Sequence, residues 1–254
     1  MRIIRFKTQN TLPQYGWIRD GRVGVIQGDP FGEFRRYEEA YELSDVDLLL
    51  PCLPSKIIAV GRNYREHAAE MNTEVPTYPL VFLKPPSSLI TSGESIILPP
   101  QSKRVEHEAE LAVVVGKRSR WLTKENALDA VFGYTIANDV TARDLQRLDG
   151  QWSRAKGFDT FCPVGPWIET EFDPTDAIIT CHVNNTLRQM SSTREMIFSI
   201  TQLLMYVSSI MSLEPGDLIL TGTPAGVGPL QAGDQVSVHI DGIGTLVNPV
   251  AAQG

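Results

Sequence analysis

The residues best suited to chemistry lie in the stretch Val105-Glu106-His107-Glu108-Ala109-Glu110-Leu111-Ala112-Val113-Val114-Val115-Gly116. Its second half is a run of small and β-branched apolar residues ending at a glycine, the pattern of a buried strand. Residues two apart in a strand share a face. Glu106, Glu108 and Glu110 are therefore expected together, with His107, Ala109 and Leu111 opposite. Carboxylates packed this closely repel one another and lose hydration when buried. A bound cation resolves both problems, and an all-oxygen set suits a hard divalent ion such as Mg²⁺, Mn²⁺ or Ca²⁺. The alternative is a strand end open to water, carrying ordinary solvated glutamates.

Other candidates lie on either side. His67 and Glu70 are three apart and share a face if Gly61–Glu70 turns helical. A carboxylate beside an imidazole orients it, raises its basicity and can share the proton of a water; an exposed helical pair is the other reading. Asp139 closes the strand predicted over Val131–Asn138, where a third carboxylate could meet Glu108 and Glu110. Arg143 and Gln146, three apart, could share a helix face over the same place, with Arg143 forking onto a substrate carboxylate. Its alternative is a surface ion pair with Asp144. Lys156, between Ala155 and Gly157-Phe158, is a candidate partly desolvated amine. Gly222–Pro229 is Gly-rich but lacks the Gly-Lys-Ser/Thr of a phosphate loop, and is expected to bring backbone N–H groups and the Thr223 hydroxyl near a ligand.

The elements that must position these groups read as mostly strands. Residues 1 to about 50 look like a small separate unit, with a type I′ hairpin at Asp20-Gly21 and a short helix over Tyr37–Leu50. Pro51 and Pro54 punctuate the chain after it. Strands are expected at Lys56–Val60, Leu80–Lys84, Val131–Asn138, Cys162–Glu169, Ile178–Val183, Leu218–Thr221, Gln235–Ile240 and Thr245–Val250. Thr123–Ala130 reads as a helix capped by Thr123. Ser192-Thr193-Arg194-Glu195 fits a capping box opening a helix from Met196 to Ile210, free of charge as far as Leu213.

The pieces together resemble the fumarylacetoacetate hydrolase superfamily, over residues 55 to 250 or so. The resemblance rests on Gly61-Arg62-Asn63-Tyr64 with His67 and Glu70, Glu108-Ala109-Glu110-Leu111, Asn138 to Gln146, Lys156-Gly157-Phe158-Asp159, and Thr221 to Gly228. It implies a mainly β fold with α, a mixed β-sandwich roll for residues 51–254 behind a small β-rich N-terminal domain at 1–50, and a homodimer. It implies Mg²⁺ or Mn²⁺ held by Glu108, Glu110 and Asp139. Lys156 becomes a cation near a developing enolate, His67 and Glu70 a pair on a lid, and Arg62, Arg143, Gln146 and Thr223 substrate-binding residues. Glu106 is left outside the metal set. The branch it most resembles is that of acylpyruvate hydrolases and oxaloacetate decarboxylases. The expected activity is hydrolysis of the C–C bond of a 2,4-diketo acid through a pyruvate enolate, with oxaloacetate decarboxylation alongside. The alternatives are a 2-hydroxyhepta-2,4-diene-1,7-dioate isomerase or 5-oxopent-3-ene-1,2,5-tricarboxylate decarboxylase of aromatic degradation, and, more remotely, a non-enzymatic metal-binding protein.

Composition narrows the partners. The 254 residues are 42% hydrophobic and 21% charged, enough for a normal soluble core. A net charge of −7 argues against nucleic acid or an anionic membrane as partner, but not against a small anionic keto acid bound by a local cluster of cations. The three cysteines are widely spaced and form no zinc or disulfide pattern, which points to a reducing cytoplasm. No signal peptide is expected from Met1–Phe6, and no apolar run nears the ~20 residues of a membrane span.

Overall fold

A computed structural model describes residues 1–254. Its largest sheet runs, neighbour to neighbour, through Phe34–Glu42, Arg22–Gly28, Gln14–Arg19, Arg2–Lys7, Cys162–Glu169, Val131–Asn138, Ala109–Val115, Leu218–Leu220, Ile57–Gly61 and Leu80–Lys84. A second sheet is ordered Thr186–Ser192, Ile178–Val183, Gln235–Ile240, Gly244–Ala252 and Ile96–Leu98. The main core fills the space between these sheets. Leu111, Val113 and Ile136 enter it from the large sheet, and Ile179, Cys181, Val238 and Ile240 from the smaller one. This is the mainly β sandwich expected, with few helices, none of them long and apolar enough to cross a membrane.

Side-chain alternation splits the strand Ala109–Val115 between two cores. Leu111, Val113 and Val115 face the sandwich. Ala112 and Val114 face the other side, among Ile57, Ala59, Leu218 and Leu220. Glu110 has the parity of Ala112, so it stands at the end of the strand on that second face. The antiparallel register sets Ala109 opposite Asn138 and Glu110 opposite Ala137. One step further, the Asp139 N–H donates to Glu108 O at 2.8 Å, so the register itself carries Asp139 to the glutamates.

Residues 1–50 continue the large sheet, because Arg2 and Ile3 pair with Glu169 and Ile168. Asp20 and Gly21 both have positive φ, 49° and 78°, as a type I′ hairpin requires. No helix forms over Tyr37–Leu50. Strand Phe34–Glu42 pairs with Arg22–Gly28 instead, and Asp47–Leu49 pairs with Arg2–Lys7 after a single 3₁₀ turn at Leu43–Asp45. The open edge of the hairpin decides this. It supplies a hydrogen-bond ladder and cross-strand partners that an isolated segment lacks, including Arg22–Glu42 at 3.0 Å.

Two other helix expectations change. Thr123–Ala130 forms one turn, Ala127 N–H to Thr123 O, and then the 3₁₀ turn Leu128–Ala130, since the chain must enter strand Val131–Asn138 at once. The Ser192 hydroxyl accepts from Arg194 N–H but caps only the turn Thr193–Glu195. The α-helix is Ile200–Ile210, and its capping box is Ser199 with Gln202. Asn63 explains the shift. Its backbone O and side-chain Oδ1 accept from Ile197 and Phe198 N–H, both at 2.7 Å, and Tyr64 beside it bridges Met196, whose ψ of 133° is extended, so Met196–Phe198 is held as an extended segment and the helix begins after it.

Candidate active site

The carboxylate stretch, expected as one strand, is interrupted at Glu108. Val105–His107 and Ala109–Val115 are separate strands, and Glu108 lies between them, its N–H held by Asn138 Oδ1 at 2.9 Å. Each of Glu108, Glu110 and Asp139 offers a carboxylate oxygen within 4.8 Å of the other two, and all three are buried. The Glu110 Oε2 also accepts from Gly222 N–H at 2.7 Å. That approach needs glycine, because Gly222 has φ +98° and a Cβ there would stand 2.7 Å from the Asn63 Cβ.

Cations crowd the same place. Lys156 Nζ donates to Glu108 Oε2 at 2.7 Å and to Asp139 Oδ2 at 2.6 Å. Arg143 donates through Nε to Glu106, through Nη1 to Gln146, both at 2.6 Å, and through Nη2 to Glu108. It does not pair with Asp144, which instead accepts from Ser102 and Lys103. Arg143 thus orients Glu108, and Glu106, further out, is shared by Arg143 and Arg104.

Burial and neighbours set these charges apart. Burial opposes ionisation of Glu108, yet Lys156 and Arg143 outweigh it and hold its carboxyl well below the usual range. Burial, then Asp139 and Glu108, push the Glu110 carboxyl well above that range, against Lys156 and the Gly222 N–H. Burial opposes the Lys156 charge, but Asp139 and Glu108 prevail and raise its pKa. Asp139 Oδ1 is buried without a hydrogen bond; Lys84 Nζ lies 2.7 Å away as an ion pair whose geometry is not that of a hydrogen bond. Three convergent buried carboxylates, one held against its preferred charge state and one with an unbonded oxygen, fit a hard divalent cation.

A cavity lies over the triad. Val60, Arg62, His67, Met71, Phe82, Arg143, Gln146, Trp152, Lys156 and Thr223 line it with the three carboxylates. The expected residues therefore converge from five separate stretches of chain. His67, on helix Arg65–Glu70, faces the cavity. Glu70 stands behind it, with Oε2 3.2 Å from His67 Nδ1 and both oxygens 3.2 Å from the Gly226 N–H. The helix carrying the pair is thereby pinned to the Gly-rich loop. Thr223 lines the cavity, but its hydroxyl donates to Ala109 O at 2.9 Å and accepts from Gln189 Nε2 at 2.8 Å, so it holds the loop.

Three further residues support this site without having been singled out for a role in it by the sequence. Lys84 ends an apolar strand, and its fully buried ammonium donates to Lys156 O at 2.6 Å beside Asp139. Gln189 has all four amide positions in use: Oε1 accepts from Ala109 N–H and pairs with His107 Nδ1, and Nε2 donates to Thr223 Oγ1 and Pro224 O. Asn63 ties the segment before helix Arg65–Glu70 to Phe198 and Thr221. Asn63 belongs to the motif Gly61-Arg62-Asn63-Tyr64, whereas Lys84, closing an apolar strand before Pro85-Pro86, and Gln189 stand in no motif.

Comparison with known proteins agrees with this geometry. The fumarylacetoacetate (FAA) hydrolase C-terminal family matches residues 56–251, and the Rv2993c-like N-terminal family matches residues 1–51. Bovine mitochondrial oxaloacetate tautomerase FAHD2B is 43% identical over 220 residues, 82% of this chain and 70% of its own. The crystal structure of 5-carboxymethyl-2-hydroxymuconate delta-isomerase from Mycobacterium smegmatis superposes with a TM-score of 0.93 at 45% identity, covering 100% of both chains. That of maleylpyruvate hydrolase from Sphingobium sp. SYK-6, in complex with manganese(II) and pyruvate, gives 0.82 at 31% identity, again over 100% of both chains.

Proposed function

The chain belongs to the fumarylacetoacetate hydrolase family, and from that membership we propose that it is a divalent-metal-dependent hydrolase cleaving the C–C bond of acylpyruvate-type 2,4-diketo acids. One observation carries the reading: the Glu108–Glu110–Asp139 triad, the Lys156 ammonium and His67 backed by Glu70 all meet at one cavity. Glu108, Glu110 and Asp139 would hold Mg²⁺ or Mn²⁺. The bound ion supplies Lewis-acid polarisation of the keto-acid oxygens.

The chain's own groups do the rest. His67, oriented by Glu70, takes a proton from a water directed at the distal carbonyl. The oxygen of that water joins the acyl carbon, the C3–C4 bond breaks, and the electron pair stays on the pyruvate fragment. The Lys156 ammonium stabilises that charge without reorganising. The proton held by His67 returns to C3, so the products are a carboxylic acid and pyruvate. Arg143 fixes the angle of Glu108 throughout, and with Gln146 helps hold the carboxylate end of the substrate. The three buried cysteines, whose thiols burial pushes up to about 12, suit a reducing cytoplasm.

A second reading is tautomerisation or isomerisation of an enolisable keto acid, favoured by the names of the bovine and Mycobacterium smegmatis relatives. It uses the same cations and base but no attacking water. Protein with Mg²⁺ and acetylpyruvate distinguishes the two: the diketone absorbance falls with release of pyruvate if hydrolysis is the activity. No pyruvate release, with faster keto–enol exchange of oxaloacetate, would replace hydrolysis by the second reading.

A further inference from the structure

A second cavity, of about 640 Å³, opens between strands Ile178–Val183 and Thr186–Ser192 on one side and the segment Gly226–Gln231 on the other. It shares no lining residue with the cavity over the triad. His107, Val183, Leu187, Arg188, Val227 and Asp234 are among its walls, and its size suits a small molecule.

One atom in that wall lacks a partner. His107 is 1% exposed, and its Nε2 is buried without a hydrogen bond. Gln189 fixes which ring nitrogen carries the proton. Its Oε1 accepts from Ala109 N–H and its Nε2 donates to Pro224 O, so the amide has one possible orientation. His107 Nδ1, 3.0 Å from that Oε1, is therefore the N–H of the neutral ring, and Nε2 carries the lone pair. Gly228 lies opposite His107 in the strand pair, and a Cβ on it would stand 3.6 Å from Nε2. With glycine there, that strand puts no side chain over the nitrogen.

Arg188 brings a charge to the same wall. It is the extra residue of a bulge: Cys181 pairs with Gln189 and His182 with Leu187, which leaves Arg188 unmatched across the ladder. A bulge re-aims the side chain it carries. The Arg188 charge reaches Cys181, where it opposes the rise that burial gives that thiol. The acid in this wall, Asp234, is taken by Asn184 Nδ2 at 2.6 Å and Gln231 N–H at 2.7 Å, which leaves the guanidinium unpaired.

These groups select an occupant. A metal does not suit them, because the acidic, thiol and imidazole groups that converge within reach of one ion are Glu108, Glu110 and Asp139. An ammonium donor to Nε2 is opposed by the neighbouring guanidinium. A hydroxyl is not, and a carboxylate would complete Arg188. We propose that this cavity is a second ligand site that takes a small hydroxylated carboxylate. Its hydroxyl donates to His107 Nε2, and its carboxylate forks onto Arg188. The occupant bears on the loop whose Gly226 N–H holds Glu70, and on the imidazole that pairs with Gln189.

Malate and succinate test this, since they share chain length and charge and differ by one hydroxyl. Calorimetric titration in EDTA, which keeps ions from the triad, should show malate bound about tenfold more tightly, the scale of one hydrogen bond to a buried acceptor. Gly228→Ala, whose Cβ fits beside Nε2 at ordinary contact distance, should abolish that preference and keep succinate binding. Arg188→Gln should weaken both ligands by about tenfold or more. An unchanged melting temperature shows that each variant is folded, and either variant serves if the other is not. Arg62→Asn, in the wall of the other cavity, should leave malate affinity unchanged. A loss of malate binding in Arg62→Asn would place the ligand over the triad and overturn the proposal. Equal affinities for malate and succinate, a preference that survives Gly228→Ala, or binding of neither ligand would overturn it as well.

Discussion

Glu110→Gln changes one charge and almost no volume, and its effect should reverse sign with metal. Without an ion, burial and the charges of Asp139 and Glu108 hold the Glu110 carboxyl well above the usual range. Its folded-state pKa is raised, so the folded protein binds this proton more tightly than the unfolded chain does. The associated stability is present at pH below the ordinary glutamate value and is lost as pH rises through the folded-state value. At neutral pH and in chelator, Glu110→Gln should therefore be at least as stable as the parent, with a weaker decline toward higher pH. Its amide oxygen can still accept from Gly222 N–H, so no buried donor is orphaned. With metal the order inverts. An ion at about 100 times its Kd stabilises the folded state by about 2.7 kcal/mol, which for a chain of this size is a Tm rise of about 5–10 °C. Exchanging an anionic ligand for a neutral one should cut that rise to less than half. Scanning calorimetry of both proteins in EDTA and across a Mg²⁺ titration, at several pH values, reads all of this. A variant less stable in EDTA yet with the full Mg²⁺ shift would mean that Glu110 is neither a repelled carboxylate nor a ligand.

Other changes probe the remaining parts. Glu70→Ala should cost acetylpyruvate hydrolysis about 10²-fold, the scale of a positioned base losing its partner, and cost oxaloacetate decarboxylation much less; equal losses measured under one metal and pH would assign the pair to lid ordering. Lys156→Ala should lower kcat for both reactions, since each leaves charge on a pyruvate fragment; a change confined to KM would contradict that role. Asn63→Ala removes three side-chain hydrogen bonds, to Phe198 N–H, Phe198 O and Thr221 O, in a fully buried place. Urea unfolding should show a loss of about 3 kcal/mol or more, and a loss under about 1 kcal/mol would mean that water replaces the amide.

What the sequence determined was local. Alternation and β-branching placed the strands Leu80–Lys84, Val131–Asn138, Cys162–Glu169, Ile178–Val183 and Gln235–Ile240 at the bounds they occupy. Asp20-Gly21 specified its own turn, because only residues tolerant of positive φ close a two-residue hairpin. The spacing of Glu108 and Glu110 implied two neighbouring carboxylates, which the fold brings together although the strand is interrupted at Glu108. Tertiary structure decided what depends on partners far along the chain. Strand Phe34–Glu42 exists because a hairpin edge was waiting for it, and Met196–Phe198 stays out of the helix because Asn63 and Tyr64 hold it extended. Asp139 reaches Glu108 through the register of Ala109 with Asn138. Arg143, which by sequence alone could have gone to Asp144, goes to Glu106 and Glu108 because the chain passes back over them. Lys84 and Gln189 look like ordinary residues until folding strips their water and leaves Asp139 beside one and Ala109 and Thr223 beside the other. A buried charge or amide must be matched by whatever the fold brings within about 3 Å, and that partner is chosen by sheet register and layer packing, which no local stretch of sequence contains.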